Sequence, residues 1–289
     1  MSLTILINGI LIGSLYGLVG MGLSLLAGVV RMINLAQGDV LVGGAYLAIV
    51  LHNRLGWDPL ALLPLVAVII FAAGYLVQRF LLNDILRAGS FAPLVVTFGL
   101  SLVLESVYQE VFGANSQSLP AAWGDSAVTV AGVRLESAYL VAFAVGAALT
   151  AATWGTLRYT RLGRTVRAAA ADPGTARLLG INVERVFAVT FAASAVLAAA
   201  AGVITAVAQS VTPTGGLSLL LFSFAVMAVA GMGNVPAAFA AGMLLGAFQA
   251  VSVAVLGSGA ETLAVYVAFF VVLVIRPSGL LGTREARLT

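Results

Sequence analysis

The sequence predicts an all-α polytopic membrane protein of about eight or nine transmembrane helices, with at least one short or broken helix and a small exterior β-hairpin. Three observations lead there. Of its 289 residues 61% are apolar and only 9% are charged, with a mean hydropathy of +1.10, whereas an average soluble domain is roughly one-quarter charged. Uncharged runs at 3–30, 59–78 and 137–157 reach the length of about 20 residues that a spanning helix needs. Residues 186–260 contain no Asp, Glu, Arg or His, and a run of 75 such residues must fold back on itself.

Composition also excludes whole classes of chemistry. All 14 basic residues are Arg, so the chain holds neither a Walker A lysine nor a Schiff-base lysine. The absence of Cys and a single histidine, His52, remove disulfides, thiolate or zinc clusters and Cys/His nucleophile pairs. No catalytic residue, metal site or cofactor is expected in this chain. The net charge of +3 comes from Arg scattered between apolar segments, which makes no basic stripe for nucleic acid. Any ATP chemistry has to come from another chain.

The elements follow in order. Residues 1–10 carry no basic residue and the apolar run continues past a typical signal core, so the first run is expected to be a span, not a cleaved leader. Gly9, Gly13 and Gly17 share one face at small-x-x-x-small spacing, which predicts close helix packing. Arg31-Met-Ile-Asn-Leu-Ala-Gln-Gly-Asp39 then breaks helical regularity. Irregular backbone at membrane depth needs cover from protein or a water-filled path. Asn34 and Gln37 therefore become candidates for a translocation path; the alternative is a cytoplasmic turn with Arg31 paired to Asp39. Val40–Leu51 offers only 12 uncharged residues and reads as a tilted short span or a re-entrant half-helix.

Further along, 88–104 extends to about Phe112 if Glu105 and Glu110 sit near an outer end; a proton-relay role for Glu105 is the other reading. Turn chemistry at Thr212-Pro-Thr-Gly-Gly216 and Gly231-Met-Gly-Asn-Val-Pro236 divides the long uncharged run into three spans. A last span runs from about Gly257 to Ile275. Asn234 precedes Gly242-x-x-x-Gly246 much as Asn34 precedes Gly43-Gly44, a hint of internal repetition that makes Asn234 a third path candidate.

Charge sets the expected orientation. Residues 158–185 carry a net +4 and the tail from Arg276 a net +2, whereas 105–136 carries −3. Arg-rich short loops stay cytoplasmic, so 158–185 and 277–289 are expected inside and 113–136 outside. Nine crossings place the N-terminus outside; a re-entrant 40–51 would place it inside. In the exterior loop, 127–135 alternates about Ala131-Gly132 and reads as a β-hairpin. It is either a cap over the bundle mouth or a docking surface for an extracytoplasmic partner.

The loop 158–185 is the most informative segment. Asp172 is a good N-cap, Pro173 suits the first helical position, and Gly180 suits the terminator. Between them a helix of under two turns is expected over Gly174–Leu179, with Asn182 capping the next span. So short a helix is unstable alone in water, so it must be gripped by another protein or packed under the bundle. Gly174, Thr175 and Ala176 suit a groove, and Leu178 and Leu179 give an apolar anchor. Arg161, Arg164 and Arg167 on the preceding arm serve topology and lipid phosphate contact.

Four stretches carry a resemblance. Arg161-x-Gly-Arg-x-x-Arg-Ala followed by Asp172-Pro-x-Thr-Ala-Arg-Leu-Leu-Gly-Ile-Asn-Val183 resembles the coupling loop of the branched-chain amino acid ABC permeases of the LivH type. Arg31–Asp39, Ala230–Pro236 and Ile275-Arg-Pro-Ser-Gly-Leu-Leu-Gly282 agree in the same order. The resemblance implies a single permease domain over 1–289 in a bacterial inner membrane, with Gly174-Thr-Ala176 and Gly180 at the Glu-Ala-Ala-x-x-x-Gly positions of importer permeases. The Glu of that motif and its later Ile-x-Leu-Pro are missing here. It further implies separate ATPase subunits, a second permease subunit, an extracytoplasmic substrate-binding protein and a surrounding lipid bilayer. The expected function is import of branched-chain or related amino acids. The alternatives are urea or short amides through the same importer class, or an ion-coupled secondary transporter. An intramembrane enzyme built on Ser258 lacks a companion base.

Overall fold

The computed structural model describes residues 3–86, 91–124, 126–130, 133–257, 259, 261–276 and 279–280. The expected hairpin turn at Ala131-Gly132, Ser258, and the tail from Leu281 lie outside them.

Helices α1 (Leu3–Val29) and α9 (Val183–Ala208) form the interior, with 83% and 78% of their most apolar windows buried. Around them lie α3 (Pro59–Val77), α5 (Ala92–Phe112) and α6 (Ser137–Tyr159), whose windows are 17%, 6% and 11% buried. Helices α10 (Gly216–Ala230) and α11 (Val235–Leu256) pack on the other side of α1, and α12 (Glu261–Ile275) covers them. Among the described residues seven helices are long and apolar enough to cross a membrane, and Leu263–Ile275 is a shorter apolar one.

The segment expected to be a short span is α2 (Gln37–Leu55), a continuous helix of 19 residues. It is less apolar than the spans because it starts at Gln37-Gly-Asp39 and ends at His52-Asn-Arg54. Gly56, at φ 68°, terminates it in the left-handed conformation that glycine adopts without a Cβ clash. Helix α3 is capped by Asp58, whose carboxylate accepts from the Leu60 amide at 2.8 Å. It continues through a π turn at Gln78–Leu82 into α4 (Asn83–Ile85).

Gly9, Gly13 and Gly17 lie against α11. A Cβ on Gly13 would stand 2.5 Å from the Gly242 carbonyl oxygen, and one on Gly17 would stand 2.7 Å from that of Phe239. In return, Gly242 and Gly246 abut the backbone of Gly17 and Gly13. The two glycine stripes bring the backbones into direct contact, as membrane helices do when dispersion is the attractive force.

Strands β1 (Ala127–Val130) and β2 (Val133–Glu136) pair antiparallel, with Val128 opposite Leu135. The loop before them is tied down: the Gln117 amide donates to the Val211 carbonyl at 2.9 Å, and the Leu119 amide to the Ala206 carbonyl at 2.8 Å.

Candidate functional site

Two regions bring the predicted residues together. The first is the loop between α6 and α9. The arm that carries Arg161, Arg164 and Arg167 is itself a helix, α7 (Arg161–Ala171), capped by Thr160, whose hydroxyl accepts from the Gly163 amide at 3.1 Å. No helix is assigned to this arm from the sequence. The Thr160 cap and the apolar spacing Gly163, Val166, Ala169, all buried, were the signal for it.

Helix α8 (Pro173–Leu178) follows, one residue ahead of the expected span. Asp172 caps it, accepting from the Gly174 amide at 2.9 Å and from the Thr175 hydroxyl. Those bonds hold its carboxyl below the usual carboxylate range. At the other end Gly180, at φ 80°, closes a Schellman turn: the Ile181 amide donates to Ala176 and the Gly180 amide to Arg177, both at 3.0 Å. Arg177 pairs with Glu184 at 3.0 Å, and Asn182 caps α9 through the Arg185 amide at 2.9 Å. Ala176 is the inward contact at 2% exposure, whereas Leu178 and Leu179 are 89% and 73% exposed. A helix of under two turns, capped at both ends, thus leaves Leu178 and the following Leu179 exposed.

The second region lies halfway along the bundle. After α1, Arg31 takes φ 56°, and its guanidinium donates to the carbonyls of Ala170 (3.0 Å) and Ala171 (3.4 Å) at the end of α7. Among the described residues Arg31 and Asp39 form no ion pair, so the pairing expected of the turn alternative is absent, and the segment between them is buried at Asn34 and Gln37. Residues 31–34 have no regular secondary structure, and Asn34 and Gln37 are 1% and 2% exposed. Asn34 organises the break: its Oδ1 accepts from the Ala36 amide (3.1 Å) and its Nδ2 donates to Gln37 Oε1 (3.2 Å). Gln37 Nε2 donates to the hydroxyl and carbonyl of Ser194 (3.2 and 3.3 Å), and the Ser194 hydroxyl donates to the Gly22 carbonyl (2.7 Å). Asn34, Gln37 and Ser194 thereby supply the partners that backbone polar groups need in a dry interior.

Helix α5 closes the other side. The Leu35 amide donates to the Thr97 hydroxyl at 3.2 Å, the Ser101 hydroxyl donates to the Asp39 carboxylate, and Tyr108 Oη donates to the Asp39 carbonyl at 3.1 Å. Thr97, Ser101, Glu105 and Tyr108 lie at helical spacing on one stripe of α5. Neither that stripe nor Ser194 was singled out from sequence; the i, i+4, i+8 run of Thr97, Ser101 and Glu105 in an apolar helix was the available signal. The N-terminus of α10 meets the same place, with Gly216 against Gly38 and the Asp39 carboxylate. Asn234 stands apart. Its side chain caps α11, accepting from the Ala237 amide at 3.1 Å, while the adjoining Gly233 amide donates to the Ser24 carbonyl at 3.0 Å.

The family described as branched-chain amino acid transport system / permease component matches residues 5–276. This chain belongs to that family. The permease is 30% identical to the high-affinity branched-chain amino acid transport system permease protein LivH of Escherichia coli K12, over 96% of this chain and 94% of the other. It is 29% identical to the corresponding protein BraD of Pseudomonas aeruginosa, over 97% and 95%. A solved structure, PsaBC from Streptococcus pneumoniae in complex with Fab, has a TM-score of 0.48 at 16% identity, over 95% of this chain and 92% of that one. The permease is therefore a multi-pass membrane transport component, and both regions described above fall within the matched residues.

Proposed function

We propose that this chain is the permease subunit of an ATP-binding-cassette importer that moves branched-chain amino acids across the cytoplasmic membrane. Separate ATPase chains drive it, a second permease subunit completes the path, and an extracytoplasmic binding protein delivers substrate. The observation that carries the coupling assignment is the exposed pair Leu178 and Leu179 on the capped α8. A helix too short to be stable alone is pre-organised here by Asp172 and Gly180, as a docking element has to be. The Arg-rich end that bears α7 and α8 faces the cytoplasm, and the N-terminus and hairpin face outside.

The contacts supply a route for the stroke. Movement of α8 bears on α7, whose last carbonyls hold Arg31. Arg31 begins the irregular segment that places Asn34 and Gln37, and that segment is bonded to α5 through Thr97. Force applied at the loop thus reaches the middle of the bundle through one continuous set of bonds.

The test replaces both Leu178 and Leu179 with Asp in the complete transporter. The expected result is loss of ATPase co-purification with an unchanged thermal midpoint for the bundle. Normal co-purification and uptake in that variant would overturn the assignment.

A further inference from the structure

We propose that Asp39 is the binding group for the positively charged α-ammonium of the transported molecule, screened by the α5 stripe until α5 moves. This rests on the amino acid importer reading above and adds a subsite to it.

Asp39 is 3% exposed and lies in the first turn of α2, bonded to Ser101 at the middle of α5. Among the described residues it has no ion pair, and Glu105, of the same sign, stands one helical turn beyond its Ser101 partner on α5. A carboxylate in a low-dielectric interior with a second acid near its cover and no cation is costly. Intramembrane acids in that position mark substrate or ion routes. The positive ends of α2 and α10 meet at Gly38 and Gly216 and offset part of the charge, without supplying a hydrogen-bonding cation.

The part of the cover over Asp39 that α5 supplies is polar at the carboxylate itself, where Ser101 donates. Helix α5 is 6% buried over its apolar window, and its bonds to this region are those of Thr97, Ser101 and Tyr108. Displacing α5 removes the Ser101 hydroxyl from the carboxylate and leaves an acceptor that an ammonium satisfies with a charge-assisted bond. Further along the same face of α2, Tyr46 is 1% exposed and, among the described residues, its hydroxyl has no hydrogen-bond partner. Its ring stacks on Phe112 at 4.3 Å and lies 5.7 Å from that of Tyr108. A carboxylate with an adjoining aromatic wall and an unused hydroxyl matches a small zwitterion with an aliphatic side chain. Asn34 and Gln37, by contrast, are engaged in holding the break.

The experiment uses the reconstituted complex of both permease subunits and the ATPase subunits in liposomes, with the binding protein left out and direct binding of radiolabelled leucine as the readout. Unlabelled leucine competes against 2-hydroxy-4-methylpentanoate, which has a hydroxyl in place of the ammonium. The wild-type complex is expected to prefer leucine by about tenfold or more, the scale of one charged hydrogen bond. In Asp39→Asn, which keeps size and an oxygen that can accept from Ser101, that preference falls to about twofold or less, a change that a purely structural Asp39 would not produce. Should Asp39→Asn fail to assemble, Ser101→Ala decides: removal of the competing hydroxyl is expected to raise leucine affinity by about twofold to fivefold. Retained preference in Asp39→Asn, a wild-type complex without ammonium preference, or unchanged affinity in Ser101→Ala each overturns the proposal. Failure of the wild-type transporter, supplied with its binding protein, to import any branched-chain amino acid overturns the importer reading instead.

Discussion

Replacing Gly13 with Ala tests the seam on which the bundle is built. The added Cβ would stand 2.5 Å from the Gly242 carbonyl oxygen, 2.8 Å from Met243 Cα and 2.9 Å from the Met243 carbonyl oxygen. All three are backbone atoms, so no side chain can rotate away. A carbon and its non-bonded neighbour sit at about 3.5 Å, so α1 and α11 must part by roughly 0.5–1 Å. A gap of that size forfeits a quarter to a half of each contact along the seam, and overpacking of this kind costs about 1–3 kcal/mol. The seam is continuous from Gly9 to Gly17 and has backbone on both sides, which puts Gly13→Ala at the upper end, about 2–3 kcal/mol. Gly99→Ala provides the control, since a Cβ there meets nothing within 4 Å. In a helix interior that change stabilises by up to about 1 kcal/mol. Thermal unfolding in detergent, followed by the loss of monodisperse protein, is expected to place Gly13→Ala well below wild type and Gly99→Ala at or above it. Equal midpoints for the two variants would refute backbone contact as the source of bundle stability.

Two further outcomes concern the loop end. Gly180→Val forces a β-branched residue into φ 80°, at a local cost of about 1–2 kcal/mol, while nothing within 4 Å obstructs its Cβ. The bundle midpoint is expected to hold and ATPase co-purification to fall, whereas Gly180→Asn retains both; a Val variant that assembles normally contradicts the Schellman role. For Asp172, the hydrogen bonds from Thr175 and Gly174 lower the folded value below the ordinary 3.8. Its contribution to α8 is therefore fully present above 3.8 and is lost as pH falls through that lowered folded value. Hydrogen exchange at the Gly174 amide, corrected for intrinsic rate, is expected to show constant protection from pH 8 to 5 and loss only below about 3.8. Loss of protection near neutral pH would show that the carboxylate is not the cap.

The loop between α6 and α9 was legible in the sequence because capping is local. Asp172 bonds residues 174 and 175, Gly180 needs only its own φ, and Asn182 reaches Arg185. The spans were legible because length and apolarity decide them. Which spans lie inside was not, since nearly every face of α1, α3, α9 and α11 is apolar and burial leaves no pattern on such helices. The mid-depth seam was half legible: the polar residues at 34, 37 and 39 announced a break, but their partners are Ser194, Thr97, Ser101 and Tyr108, distant in sequence. Asn234 shows the converse, because local context alone could not separate a cap from a path residue. Composition and bonds a few residues long were enough to specify a membrane bundle with a short capped helix between α6 and α9. The central place of α1 and α9, and the meeting of Asp39 with Ser101 and Gly216, emerge in three dimensions alone, because those pairings join segments that meet when the bundle closes.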